Sequence, residues 1–358
     1  MRFIFFSKTM YSETPRIRHQ LAELLLTYGH DVIFYQRPLF FFNSDENLIN
    51  QKISEKLEIR QTKQLIHHQL RLFEALSFLN SWYEMNQIIS SLNTVNHDDI
   101  IVNFNYDYSF LRKIFKNNKI ITLINDDFVA QAKFNKGVHI LKSLGETLRI
   151  SDAVLTVSYP LLNQAKAFSQ HIHLFLPWSK EKFIQPSHSE RKAVLLWAHI
   201  DGRVDFELIE YILNKNIRFE FHFVGPVSEK NLAIIETLQK NYSNLVLFPA
   251  TELSCLNLDL YFASIIPYKS GVADIEAVTA SNKTFQLLSK GLPLVTYGMP
   301  SFFEHEAIFK ANSYPEFSEF IFKAYSEFYS LQPSIAELIK QQQPEQRYAK
   351  ILSIINED

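Results

Sequence analysis

A single cysteine, Cys255, stands in the 358 residues, so an internal disulfide and a cysteine-rich metal site are both excluded. No stretch approaches the roughly 20 apolar residues that a membrane span needs. The opening Met1-Arg2-Phe3-Ile4-Phe5-Phe6 is too short for the apolar region of a secretion signal and runs straight into Ser7-Lys8. A cytoplasmic protein is expected, with contact to a membrane from that side still open. Charge of one sign is missing too: 36 basic residues balance 38 acidic ones for a net charge of −2. A protein that grips nucleic acid globally is usually basic, so no nucleic-acid partner is expected.

Several chemical signatures are absent as well. The loop after the first strand has no G-x-G-x-x-G, so a dinucleotide site there lacks its main mark. No G-x-x-x-x-G-K-[ST] occurs, which removes P-loop phosphate chemistry. Neither Asp-x-Asp nor H-E-x-x-H is found, and the histidines have no ligand spacing. No metal and no cofactor are expected.

What is abundant is apolar and aromatic. Hydrophobic residues make up 47% of the chain, which excludes a disordered protein, and 31 Phe and 16 Tyr supply flat apolar surface. Short apolar runs alternate with helical patterns, the grammar of an α/β protein with parallel sheets. Strands are predicted at Arg2 to Phe6, Asp31 to Tyr35, Asp99 to Phe104, Lys119 to Ile124 and Ala153 to Val157, with residues 55 to 95 mainly helical. The pattern restarts at Ala193 to Trp197 and continues through Phe219 to Val224, Leu245 to Phe248 and Leu260 to Ile266. The length suits two cores. We expect an N-terminal domain over 1–178, a second over 179–340, and a C-terminal helix over 341–358 that crosses back to the first.

The segment from Ser281 to Val295 carries the most information. Ser281 or Asn282 can cap a helix whose free N–H groups favour an anion. Lys283 adds a positive charge there, and Gln286 shares its face. Gly291 supplies a left-handed stop and Pro293 blocks continuation. Upstream, an apolar run ends in Ile266-Pro267-Tyr268-Lys269, so an aromatic ring and another lysine can join the same crevice. Together these residues suggest a nucleoside diphosphate at the edge of a parallel sheet.

Other loops at strand ends are weighed against plainer duties. Asn125-Asp126-Asp127 follows a strand where open α/β sheets bind ligands. One carboxylate could take a proton from an attacking hydroxyl while its neighbour raises its pKa; an Asp-rich cap for the next helix is the equal alternative. Gly202 and Arg203 could hold a phosphate or sugar carboxylate, or form a turn with an Arg203 ion pair beside an Asp205 cap. Gly225-Pro226 ends another strand, and a base could slot against it. Arg16, Arg18 and His19 could meet phosphate or acceptor, or be a solvated helix start. Leu39 to Phe42 with Arg60, Lys63, His67, His68 and Arg71 could form an apolar and basic membrane-facing surface, which an ordinary strand and helix explain equally well.

Taken together, the chain resembles a GT-B glycosyltransferase. Thr14 to Ala22 with Gly29-His30-Asp31-Val32 is similar to the start of many bacterial members. Ile266 to Lys269, Asn282 to Gln286 and Gly291-Leu292-Pro293 resemble the donor segment. The form is similar to the xanthan-type glucuronosyltransferases, within the broader bacterial group 1, family 4-like enzymes. The resemblance implies two facing Rossmann-like domains with a deep interdomain cleft, an acceptor on the first and a nucleotide-sugar donor on the second. It implies UDP contacts from Tyr268, Lys283 and Gln286, and a catalytic base at Asp126, with Asp127 as the alternative. Two departures are plain: Gln286 stands where retaining relatives usually have glutamate, and Tyr159-Pro160 stands where many carry another.

The resulting expectation is a metal-independent, inverting transfer of a hexosyl or glucuronosyl group from a UDP-linked donor. The acceptor would be a hydroxyl of a surface glycan (capsule or lipopolysaccharide) or a lipid-linked glycan, with peripheral contact to the cytoplasmic face of the inner membrane. Asn282, Lys283 and Arg203 would stabilise the departing diphosphate. The rivals are a retaining transferase, a UDP-sugar epimerase of the same shape, and a non-catalytic sugar-binding protein.

Overall fold

The computed structural model describes the chain apart from residues 14–15, 42–49, 67–73, 93, 133–136, 282 and 358, with the backbone alone at 74–77 and 273–274. It divides into two compact units: Met1–Leu176 together with Tyr348–Asp358, and Pro177–Arg347.

The first unit is built on β1 (Arg2–Phe6), β2 (Asp31–Phe40), β3 (Gln51–Lys52), β4 (Leu57–Gln64), β5 (Ile100–Asn103), β6 (Ile120–Ile124), β7 (Ala153–Thr156) and β8 (Ile172–Leu174). They form one sheet in the order β3-β4-β2-β1-β5-β6-β7-β8. Every pairing is parallel except the short β3 against β4. The connecting helices are α1 (Ile17–Thr27), α2 (Glu74–Ser91), α3 (Leu111–Ile114), α4 (Gly137–Arg149) and α5 (Tyr159–Ala165). The central strands are buried on both faces, which explains why β1, β5 and β6 read as continuous apolar runs. Alternate side chains divide between the faces: Ile4, Phe6, Ile33 and Tyr35 pack with Ile88 of α2 and Leu111 of α3. Strand order reverses between β1 and β5, so loops leaving their carboxyl ends diverge and leave a crevice.

One expectation is corrected here. Residues 57–64 are not helical but form β4, the parallel neighbour of β2. Leu57 and Ile59 are buried and alternate with the half-buried Glu58 and Arg60, a period of two. Arg60 is also not a surface charge, since its guanidinium donates to Glu58 and to the Ser91 carbonyl. Phe41 is exposed and Lys63 lies 5.8 Å from its ring centre; Phe42, His67, His68 and Arg71 fall outside the described residues. Among the described residues no helix is long and apolar enough to cross a membrane.

The second unit contains β9 (Ala193–Trp197), β10 (Glu220–Val224), β11 (Leu245–Phe248), β12 (Tyr261–Pro267), β13 (Leu294–Tyr297) and β14 (Ile308–Ala311). Its sheet is wholly parallel, in the order β11-β10-β9-β12-β13-β14, and reverses between β9 and β12. The helices are α6 (Phe206–Lys215), α7 (Leu232–Asn241), α8 (Ala273–Glu276), α9 (Thr284–Ser289), α10 (Tyr314–Ser326) and α11 (Gln332–Gln341). The C-terminal helix expected over 341–358 runs from Pro344 to Asn356. α11 ends at Gln341, and Pro344 opens α12 (Pro344–Asn356), as proline suits a first turn and not an interior. From Tyr348 the chain packs with the first unit: the Tyr348 ring stacks on Tyr28 at 3.7 Å and its hydroxyl meets His30 Nε2 at 2.8 Å.

Close approach leaves one helical glycine no room. A Cβ on Gly145 of α4 would lie 2.6 Å from the Phe168 ring. Glycine to alanine inside a helix normally gains about 1 kcal/mol, whereas overpacking a tight core costs about 1–3 kcal/mol. The packing term wins, and Gly145→Ala should lower the melting temperature of the first unit by a few degrees, read by calorimetry. A raised melting temperature would show that Phe168 yields freely.

Candidate functional site

In the second unit the loops leaving β9, β10, β11 and β12 surround a recess at the carboxyl edge of the sheet, where its strand order reverses. One lobe, about 350 Å³, is bounded by Trp197, Gly225, Pro226, Thr251 and Lys283. An adjoining lobe, about 190 Å³, shares Trp197 and Lys283 and adds Arg203, Tyr268, Ser281 and Leu287. The Trp197 indole is fixed by its N–H donating to the Thr251 carbonyl at 2.9 Å, and Lys283 Nζ lies 5.8 Å from that ring. Burial pushes the Lys283 ammonium down to about 8, with the Arg203 charge adding to the effect. Arg203 is held by Asp201 (Nε 3.0 Å, Nη2 2.7 Å), and its guanidinium lies 5.6 Å from the Tyr268 ring centre. Burial raises the Tyr268 phenol, which stays neutral. The site is therefore a cationic, aromatic-walled pocket suited to an anion joined to a flat group.

Local sequence explains this geometry. Gly225 has φ of +146°, and a Cβ there would sit 1.9 Å from the Ala198 carbonyl oxygen, so glycine alone lets the β10 loop pass the β9 loop. A bridge between Val204 and Tyr268, with the Lys269 N–H donating to the Arg203 carbonyl at 2.9 Å, ties the β9 and β12 loops together. Asp205 caps α6 by accepting from the Leu208 N–H at 3.1 Å.

Of the residues named from sequence, Arg203, Gly225, Tyr268 and Lys283 thus meet in one recess. Gly202 is exposed on its rim loop, with nothing within 4 Å of where a Cβ would stand. Gln286 is half-buried on α9, one turn beyond Lys283. Asn282 lies outside the described residues. The helix start also differs from expectation: α9 has six residues, its N-cap position is Lys283 with no side-chain cap bond, and the Ser281 hydroxyl meets Thr284 Oγ1. So short a helix has a weak dipole, and the Lys283 ammonium is the main charge there. Trp197 and Asp201 were missed; an indole at the end of the unit's first strand was the available signal.

In the first unit the loops after β1, β5 and β6 form a polar network. The Arg18 side chain is only 7% exposed. It donates from Nη1 to Ser7 Oγ (3.2 Å) and Thr9 Oγ1 (2.9 Å), lies over the Phe104 ring, and leaves its buried Nε without a hydrogen-bond partner. Its Nη2 is 3.9 Å from the Asp126 carboxylate, which also accepts from the Asn125 amide. Burial raises the Asp126 pKa against the pull of Arg18 and Arg16. The two neighbouring carboxylates have separated duties. Asp127 Oδ1 accepts from the N–H groups of Val129 (3.1 Å) and Ala130 (2.9 Å), closing a turn and not capping a helix, since α4 begins only at Gly137, whereas Asp126 faces Arg18. Arg16 is exposed at the N-cap of α1. His19 is structural: Nδ1 accepts from the Arg16 N–H at 3.0 Å, Nε2 meets the Met10 carbonyl, and the ring stacks on Phe34. Burial lowers its pKa, which keeps it neutral. Among the described residues no group of three His, Cys, Asp or Glu could hold a metal ion.

Two α/β units of this kind define the GT-B class of fold. The likeness extends over whole chains of solved structures. The lipopolysaccharide outer core galactosyltransferase WaaB, in its apo form, aligns with a TM-score of 0.68 at 12% identity, covering 99% of each chain. Anabaena HepE in complex with UDP aligns at 0.70 and 8% identity, over 99% of this chain and 100% of that one. A trehalose-6-phosphate synthase, studied as an enzyme of glycosyltransfer with retention, aligns at 0.62 and 10% identity, over 99% of both. No family model and no curated protein matches the sequence. At such identities the likeness establishes the fold.

Proposed function

We propose that this protein is a glycosyltransferase that takes its sugar from a nucleoside diphosphate, with UDP as the nucleotide. The observation that carries the reading is the recess joining a half-buried Lys283 to Arg203, Tyr268 and Trp197 at the reversal point of the second sheet. The partly desolvated Lys283 and the exposed Arg203 would take the diphosphate, and Tyr268 and Trp197 would flank the nucleoside. The fold is shared with HepE, solved with UDP, and with the galactosyltransferase WaaB, which supports a nucleotide-sugar donor and a glycan acceptor. A lipid-linked acceptor and peripheral membrane contact belong to the same reading. Asp126 would accept the proton of the attacking hydroxyl, its pKa raised toward the working range. Lys283 and Arg203 would balance the charge on the leaving diphosphate. No step calls on a metal.

A second reading is transfer with retention. It is favoured by the resemblance in fold to an enzyme acting with retention and by the Arg18 charge beside Asp126, which weakens a base. The anomeric configuration of an isolated product separates the two.

The test is a thermal-shift series of nucleoside diphosphates and their sugars, run with and without EDTA. A ligand that binds only the folded state raises the melting temperature by mass action. UDP and at least one UDP-sugar should stabilise the protein equally in both buffers. No response to any nucleotide would defeat the donor site, and a response abolished by EDTA would defeat metal independence.

A further inference from the structure

The first unit carries a second concavity, of about 390 Å³, that the donor and acid–base sites do not use. It lies between α2, α4 and the loop after β5. Two rings of α2 border it with unusual exposure for their type: Phe78 is 64% and Trp82 51% exposed. Asp107, Lys113, Lys142 and Glu146 line it as well. Ser109 and Ser143 add hydroxyls. We propose that this concavity is a binding subsite for a neutral sugar of the acceptor glycan, removed from the hydroxyl that reacts.

The chemistry of the lining selects that ligand. A pyranose ring has an apolar C–H face, which packs on exposed aromatic rings, and a rim of hydroxyls that both donate and accept. Carboxylates, ammonium groups and serine hydroxyls together satisfy such a rim. An anionic lipid surface would instead select a lining of cations alone, whereas here Asp107 and Glu146 stand among the lysines. Position agrees. Asp107 is ion-paired with Lys8, whose neighbours Ser7 and Thr9 hold Arg18, and Arg18 faces Asp126. The concavity and the proposed base therefore stand on adjoining loops at one edge of one sheet, linked by this chain of contacts. This rests on the glycosyltransferase reading for its purpose, though binding itself needs no donor.

The full-length protein is tested by saturation-transfer NMR with maltotriose, cellotriose and chitotriose at about millimolar concentration, the weak range usual for single sugar subsites. At least one trisaccharide should bind, and Trp82→Ala should weaken it about tenfold, as loss of one ring platform implies. Glu146→Gln should weaken it less. Trp82 is exposed, so its truncation should leave the melting temperature and the UDP response unchanged. Absence of binding by all three sugars, or binding indifferent to Trp82→Ala, overturns the inference. So does co-sedimentation with phosphatidylglycerol vesicles that Trp82→Ala abolishes. UDP binding is read on the same samples: retained UDP binding without sugar binding fails this inference alone, and loss of both fails the functional reading.

Discussion

Lys283→Met should abolish most of the expected UDP response while making the unliganded protein more stable. The two effects share one cause. The ammonium is half-buried beside Trp197 and near Arg203, and its pKa falls from 10.5 to about 8. Between those values the unfolded chain binds more protons than the folded one, so stability rises with pH across that window. At neutral pH the folded protein carries the charge at a cost, which a neutral side chain of similar length removes. A bound diphosphate reverses the balance by pairing the cation. Hydrogen bonds to charged groups are worth about 1.5–3 kcal/mol, so calorimetric titration should show affinity for UDP falling about 10- to 100-fold in the variant.

The same linkage sets the pH dependence. Affinity for UDP should be steady between about pH 7 and 8, where the terminal phosphate is ionised and Lys283 is largely protonated in the free protein, and should decline as pH rises through about 8. Lys283→Arg stays charged throughout and should remove the decline. A wild-type profile flat to pH 10, or a Lys283→Met variant with unchanged affinity, would show that the diphosphate binds elsewhere.

How much of this was legible in the sequence follows from which interactions are local. The parallel strands are apolar runs because both faces of each sheet are covered, and Ile100-Ile101-Val102 and Ala193 to Leu196 read directly. β4 hid because the half-buried positions of its alternation are Glu58, Arg60 and Lys63, residues that helices also favour. The cation at Lys283 was visible, but its depressed pKa was not, since it depends on burial against residues brought in by other strands. Asp126 and Asp127 are equivalent as letters; only the backbone path shows that one carboxylate turns onto the N–H groups of Val129 and Ala130. Arg18 read more readily as a solvated helix start, because its burial depends on the β1 loop folding back over α1.

Asp126→Asn tests the proposed chemistry most severely. General-base assistance contributes about 10²- to 10⁴-fold, so transfer should fall by that factor while UDP binding and its pH profile stay unchanged. Stability should move the other way. The Asp126 pKa is raised above 3.8 by burial, so the folded state holds its proton more tightly than the unfolded chain does. Stability therefore falls as pH rises through the window between the two values, and at neutral pH the ionised carboxylate is a liability. The neutral amide should raise the melting temperature slightly, even though Arg18 loses a partner at 3.9 Å. A residue held at a cost to the fold is what a working acid–base group looks like. In the wild type, kcat/KM should decline as pH falls through the raised Asp126 pKa, and the variant's residual activity should lack that limb. If Asp126→Asn keeps most of its activity while the product forms with retention, the base assignment fails. Asp126 would then serve to orient Arg18, and the donor's own leaving diphosphate would be the group that takes the proton.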